Sequence, residues 1–298
     1  MDTDSDGTAG PAGRMLIARG LRQLQERKQL REGKFTQTQW AKAADVSPGT
    51  VNRYVDWQDK AKLTVPTIRS LALACDATED EIAALERLVR TQEDGWWVNH
   101  PGLPAWMDPL ISFEEYATYE YVFANSLIPG LLQTRRYAAA LHQAQEPRAE
   151  EGQVERAVEA RMQRQSVLDR DDLHLWVVLD EAVLHRFPSE DAGVMAEQLD
   201  HLASLQKRRN VDIQVLPFGA GHAAGSGGHY VVLGREDTRD PSDSLGVVYL
   251  ELHRRGIYLD DPGDVQAYRR MFDYARYRAA DPRTSAKLLT KTRTEITR

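Results

Sequence analysis

The run Thr36-Gln37-Thr38-Gln39-Trp40-Ala41-Lys42-Ala43-Ala44-Asp45-Val46-Ser47-Pro48-Gly49-Thr50-Val51-Asn52-Arg53-Tyr54 holds the side chains best placed to act on another molecule. Thr36 is a good N-cap for a helix that turns Trp40, Ala41 and Ala44 inward. A short break at Asp45-Val46-Ser47 follows, and Ser47 before Pro48 opens a second helix that gives Val51 and Tyr54 to the core. The small Ala41 lets the two helices cross closely. What remains is a polar surface: Gln37 at the start of the first helix, then Ser47, Gly49, Thr50, Asn52 and Arg53 on the second. Its chemistry is hydrogen bonding to a polyanion, because between Arg14 and Ser70 twelve Lys/Arg stand against five Asp/Glu, a local balance of +7. The competing reading is an ordinary helical hairpin within a core.

Other candidate chemistry is weaker. Pro217 to His229 is glycine-rich and could wrap an anion with backbone N–H groups, with Gly221, His222 and His229 among its residues. It joins two strands instead of opening a helix, so neither a dinucleotide fingerprint nor a P-loop is matched, and it reads as a flexible hairpin loop. His222 and His229 lack a carboxylate partner at fixed spacing, so no metal site is expected. Asp180-Glu181 and Glu251, at strand ends, could face one pocket as acid and base, yet such carboxylates more often cap helices or pair with arginines such as Arg161 and Arg164. Gly225-Ser226-Gly227 lacks the spacing of a nucleophile elbow. No catalytic set, metal or cofactor is expected, and the chain is read as a non-enzyme. Leu131, Leu132 and Tyr137 are read as core, and Trp96 and Trp97 as packing beside a linker.

These groups need elements to position them. Residues 1–13 lack core-forming side chains and read as a disordered leader. Ile17, Leu21 and Leu24 mark a helix ending at Gly33; Ile68, Leu71, Ala72 and Cys75 mark another; Thr78 and Glu81 form a capping box before Ile82, Leu85 and Val89. With the two motif helices this is an all-α helix-turn-helix bundle over 14–92, followed by a Pro- and Gly-containing linker over 93–110. Beyond it, Phe113 to Tyr121, Thr134 to Gln143 and Glu151 to Asp169 read as helices. Leu173 to Leu179 reads as a strand, Val211 to Leu216 as a half-buried alternating strand, and Tyr230 to Leu233 and Val247 to Leu250 as two more, with Tyr258-Leu259 as a short edge. Val265, Tyr268, Phe272 and Ala275 define an amphipathic helix, and a basic, Thr-rich tail starts at Arg283. The fold class is therefore α + α/β, with a mixed α/β regulatory or partner-binding domain over 111–298.

Composition agrees with this division. The 298 residues are 42% hydrophobic and 28% charged, which excludes fibrous, collagen-like and generically disordered classes. The overall charge of −7 combines the +7 segment with a remainder of −14. The single cysteine, Cys75, forms no disulfide within the chain and fits a reducing cytoplasm. No apolar run nears the roughly 20 residues of a membrane span, and Met1 to Gly7 is acidic where a secretory signal is basic.

Thr36 to Tyr54 closely resembles the helix-turn-helix of phage-repressor-like, XRE-type bacterial regulators. The resemblance implies that the second motif helix lies in the major groove of double-stranded DNA. It also implies that Gln37 binds a backbone phosphate, and Arg53 suits a guanine or a phosphate because its guanidinium bridges two acceptors. Pro48 and Gly49 stand where such regulators often carry base-reading side chains, which favours shape readout, and Val55-Asp56-Trp57 replaces the usual exit from the helix. Further on, Ile128 to Thr134 with Tyr137-Ala138, Arg161 to Gln165, Leu179 to Leu184, Glu197 to Leu199, Val211 to Pro217 and Val248 to Glu251 occur as an ordered set. Together with the helix-turn-helix they resemble actinobacterial regulators with a C-terminal domain of unknown function, which include WhiJ-like and antitoxin-like proteins. The resemblance implies a cytoplasmic transcriptional regulator that binds a small protein encoded by a neighbouring gene. Dimerisation through the C-terminal domain is expected as well, because paired half-sites multiply the affinity of a small reader. The alternative is a regulator whose C-terminal domain is enzyme-like or binds a nucleotide or phosphate ligand at the glycine-rich loop 219–228.

Overall fold

The computed structural model describes residues 9–90, 95–222, 227–236 and 245–298. The chain divides into two compact units, Met1–Val98 and Asn99–Arg298.

The first unit is five helices: α1 (Pro11–Glu32), α2 (Gln37–Ala43), α3 (Pro48–Val55), α4 (Val65–Leu73) and α5 (Glu79–Arg90). Their apolar faces meet in one core built on Ile17, Leu21, Trp40, Val51, Ile68, Leu71, Cys75 and Ile82. α1 starts at Pro11, with proline in its first turn, and Ala12 is already fully buried. The expected leader therefore gives up its last three residues to a helix; the rest of it, up to residue 8, lies outside the described residues. The Thr78 capping box forms as its sequence requires, with the Glu81 N–H on Thr78 Oγ1 and the Thr78 N–H on Glu81 Oε2. Arg27 of α1 clasps the same Glu81 with both terminal nitrogens, at 2.6 and 3.1 Å, so α5 is fixed against α1.

The second unit runs α6 (Asp108–Tyr116), β1 (Tyr119–Ala124), α7 (Arg135–Gln145), α8 (Glu151–Arg164), β2 (His174–Asp180), α9 (Glu181–Leu184), α10 (Ala192–Leu205), β3 (Val211–Leu216), β4 (Tyr230–Arg235), β5 (Leu245–Leu252), β6 (Arg255–Leu259), α11 (Pro262–Arg278) and α12 (Pro282–Ile296). The six strands form one sheet in the order β3-β2-β1-β4-β5-β6. β1 to β3 are parallel and β4 to β6 antiparallel to their neighbours, so the fold class is α + α/β with a mixed sheet.

Four expectations change. Phe113 to Tyr121 is not one helix: α6 stops at Tyr116, Ala117 is extended, and β1 follows. Tyr119, Tyr121 and Phe123 alternate with Glu120 and Val122, and aromatic and β-branched side chains suit a pleated surface between two layers. This strand is central, pairing with β2 on one side and β4 on the other. The tail from Arg283 is helix α12, capped by Asp281, with Ser285, Leu289 and Thr292 buried. β3 is not half-buried: Gln214, on its expected polar face, is 5% exposed because α11 covers that side and Ala280 O and Trp176 Nε1 satisfy its amide. Finally, 217–229 is no hairpin, since β3 and β4 are separated by β2 and β1. It begins with a 3-10 turn (Phe218–Ala220), and 223–226, Ser226 among them, lies outside the described residues.

Candidate functional site

In the first unit, the turn between α2 and α3 is closed by backbone bonds. Asp45 takes a left-handed φ of 54°, and the Val46 N–H reaches Ala41 O at 2.9 Å, which satisfies the end of α2. Ala41 is 1% exposed and allows the close crossing. Trp40 donates Nε1–H to Leu71 O at 2.9 Å, so α2 is tied to α4 through a buried ring. α3 is capped by Ser47, whose Oγ accepts the Thr50 N–H at 3.1 Å. Val51 and Tyr54 face inward, while Ser47, Gly49, Asn52 and Arg53 are exposed and Thr50 is partly so; Gln37 is exposed at the first turn of α2. Arg53 lies back along its own helix, with Nε 3.3 Å from Gly49 O and Nη2 3.2 Å from Thr50 Oγ1. Its guanidinium is thereby held over the N-terminal half of α3.

The exit from α3 is firmly held. Tyr54 Oη accepts the Thr64 N–H at 3.0 Å, and Trp57 and Leu63 are buried. Arg14, on α1, donates to the backbone carbonyls of Trp57, Asp59 and Ala61. One arginine thus gathers the loop that follows α3 and orients the helix against α1. Sequence reasoning counted Arg14 only as charge; its partners are 43 to 47 residues away, and no local pattern announces them.

Folding also redistributes the basic excess. Arg27, Lys28, Arg31 and Arg69 pair with Glu81, Asp76, Glu79 and Glu86, mostly from α5. Counted from Arg14 to Arg90, fourteen Lys/Arg stand against ten Asp/Glu, a net +4. Lys42 and Arg53, in the motif itself, join no ion pair among the described residues, so uncompensated positive charge is left on α2 and α3.

In the second unit, several motifs meet on the sheet face opposite α11. α8 carries Arg161 and Arg164 one turn apart. Arg164 grips Glu114 of α6 through Nε, at 2.7 Å, and through Nη2, and Glu114 is 1% exposed. Arg161 donates Nη1–H to Gln133 Oε1 at 2.7 Å. Gln165 ties α8 to the loop before α7, donating to Gly130 O at 2.9 Å and Gln133 O at 2.8 Å. Gln198 of α10 accepts the Thr134 N–H and donates to Leu132 O, both at 2.7 Å. Leu131, Leu132 and Tyr137 are core, 3% exposed or less. Glu120 of β1 is 2% exposed, its Oε2 lacks a hydrogen-bond partner among the described residues, and burial pushes its carboxyl well above the usual range.

A family model described as a domain of unknown function, DUF5753, matches residues 107–291, more than half of the chain. The chain belongs to the DUF5753 family. No curated protein and no solved structure matches it. The helices of the first unit lie outside the matched stretch.

Within the DUF5753 region the candidate ligand residues separate. His229 and Glu251 share the sheet face that carries Glu120, and burial, opposed by the Glu251 charge, lowers the His229 pKa. Gly221, with a left-handed φ of 67°, and the exposed His222 follow the 3-10 turn, where Arg278 reaches Ala220 O. Asp180 and Glu181 do not join Glu251: Asp180 caps α9 through the Ala182 N–H at 2.9 Å, and Glu181 accepts the Phe218 N–H at 2.7 Å. The arginine partners are Glu114 and Gln133 instead of those carboxylates. Among the described residues no group of three or more His, Cys, Asp or Glu side chains is placed to hold a metal ion, and no helix is long and apolar enough to cross a membrane.

Proposed function

We propose that this chain is a sequence-specific DNA-binding transcriptional regulator, with α2 and α3 as its reader and the DUF5753 region as the part that dimerises and receives a partner protein or signal. The observation that carries the reading is the two-faced α3: Val51 and Tyr54 lock one side into the core, and Ser47, Gly49, Asn52 and Arg53 leave the other polar and open. The uncompensated charges of Lys42 and Arg53 beside that face favour a polyanion. Gln37, exposed at the first turn of α2, is suited to a phosphate, since the backbone N–H groups of a helix start favour negative charge. One such reader covers a short stretch of duplex, and two copies on paired half-sites raise affinity without new contacts. A regulator of this kind works in the cytoplasm, and a small partner protein encoded nearby is a fitting occupant of the second unit.

The test is a gel shift with the operator recovered by genome-wide crosslinking of the tagged protein. Affinity should fall steeply with salt. Arg53→Ala should weaken binding by about 1–3 kcal/mol if the guanidinium reads a guanine. Its hydrogen bonds are local and exposed, so stability should change by about 0.5 kcal/mol or less. Unchanged affinity in Arg53→Ala would remove this residue from the interface, and binding insensitive to salt would remove the reader itself.

A further inference from the structure

We infer that the second unit binds a small hydroxy- or amino-carboxylate, with Arg161 as the anchor for the carboxylate and Glu251 as the acceptor for the ligand's neighbouring O–H or N–H. This is independent of DNA binding by the first unit.

Arg161 and Arg164, one turn apart on α8, differ sharply. Arg164 is saturated: Glu114 takes its Nε and Nη2 and cancels its charge in a buried pair. Arg161 is set as deeply, yet among the described residues its one hydrogen bond is to the neutral Gln133 and no carboxylate lies within ion-pair distance of it. A guanidinium carries five N–H donors, and leaving most of them unmatched inside a protein is costly unless something else accepts them. Burial and the adjacent Arg164 lower the Arg161 pKa to about 10, so the guanidinium is still charged at neutral pH. The residue is partly exposed and none of its nitrogens is buried without a partner, so the donors not bound to Gln133 open to solvent, where a small molecule can reach them.

The surroundings define that molecule. Glu251, exposed at the end of β5, is felt electrostatically by both Arg161 and His229 but forms an ion pair with neither. Tyr249 donates its hydroxyl to Glu251 Oε2 at 3.5 Å and orients the carboxylate. His229, kept neutral by burial, donates its one ring N–H to the Phe123 backbone carbonyl and offers its other nitrogen as an acceptor. On the opposite side, a Cβ added at Gly130 would lie 3.4 Å from Arg164 Nη1 and 3.9 Å from Arg161 Nε. Gly130 has no positive φ, so its backbone does not demand glycine; the absent side chain instead lets both guanidinium groups pack close over it. With Arg164 neutralised by Glu114, the positive charge of Arg161 opens to solvent within electrostatic reach of one carboxylate, Glu251. That balance accepts a singly charged carboxylate bearing an adjacent donor and disfavours a dianionic phosphate, which Glu251 repels. A planar guanidinium matches a carboxylate with two parallel bonds.

Thermal unfolding of the full chain at constant ionic strength tests the site, with L-lactate, L-alanine, lactamide and inorganic phosphate as probes. L-lactate and L-alanine should raise the midpoint by about 3 °C at roughly ten times their dissociation constants, and lactamide, lacking the carboxylate, should not. Arg161→Gln should abolish the response. Glu251→Gln, at an exposed position that leaves folding intact, should weaken L-alanine binding at least about tenfold. No response to either carboxylate up to about 50 mM, a larger response to phosphate, or an unchanged response to L-alanine in Glu251→Gln would overturn the inference.

Discussion

Gly49 offers a test in which stability and function move in opposite directions. It lies in the first turn of α3 with an ordinary φ, and a Cβ built there would meet only Ser47 Oγ, at 3.7 Å. Nothing within the folded unit therefore excludes alanine. Glycine within a helix costs about 0.5–1 kcal/mol relative to alanine, and near a helix start the lower figure applies. Gly49→Ala should thus stabilise the first unit by about 0.5 kcal/mol, or about 2–4 °C for a unit of this size. If glycine is there so that the α3 backbone lies close against DNA, the added methyl should weaken operator binding about tenfold, or ~1.4 kcal/mol. Cys75 reports the first change without interference from the second unit. It is fully buried in the first core and burial pushes its thiol up to about 12, so a thiol reagent reaches it only when that unit opens. Slower Cys75 labelling together with weaker DNA binding is the expected result. Slower labelling with unchanged or tighter binding would refute the placement of the α3 N-terminus against the duplex.

Arg14→Ala should destabilise the first unit by about 2–3 kcal/mol, because the partly buried carbonyls of Trp57, Asp59 and Ala61 lose their donor; faster Cys75 labelling would show it. Glu114→Gln should cost the second unit about 3–5 kcal/mol in denaturant unfolding, since it leaves Arg164 charged, buried and without its partner. His142 is partly buried, and burial lowers its pKa from 6.5 to about 4, so the unfolded chain binds the extra proton first. Its contribution to stability is complete above pH 6.5 and is lost as pH falls toward 4. Denaturant midpoints measured across that window should fall less in His142→Leu than in the parent, and an identical fall in both would exclude this residue as the cause.

The first unit was largely legible in the sequence because its signals are local. Caps at Thr36, Ser47 and Thr78, the 3.6-residue spacing of Ile17, Leu21 and Leu24, and the small Ala41 act within a turn or two of chain, and each does in the fold what its position implies. The charge balance was less reliable. A count that stops at Ser70 misses the acids of α5, and folding sets Glu79, Glu81 and Glu86 against Arg27 and Arg69. The polar cluster of the second unit was visible only as separate motifs. Arg161, Gln133 and Glu251 come from three elements, and nothing in their spacing shows that Arg164 would be paired while Arg161 would not.

The sequence by itself determined two units of α + α/β class, the two capped helices α2 and α3 with their polar residues, and most element types, all of which depend on periodicity and capping over a few residues. Tertiary structure alone decided that Tyr119 to Ala124 is the central strand, since aromatic alternation next to a helical run becomes a strand only when β2 and β4 satisfy its backbone on both sides. It likewise decided that the segment after Pro282 is a helix packed through Leu289, that β3 and β4 are separated in the sheet by β2 and β1, and that Arg161 is left without a carboxylate partner among the described residues. Each of these depends on partners tens of residues away, and the free energy that selects them is that of burial and pairing between elements, which no local stretch of sequence contains.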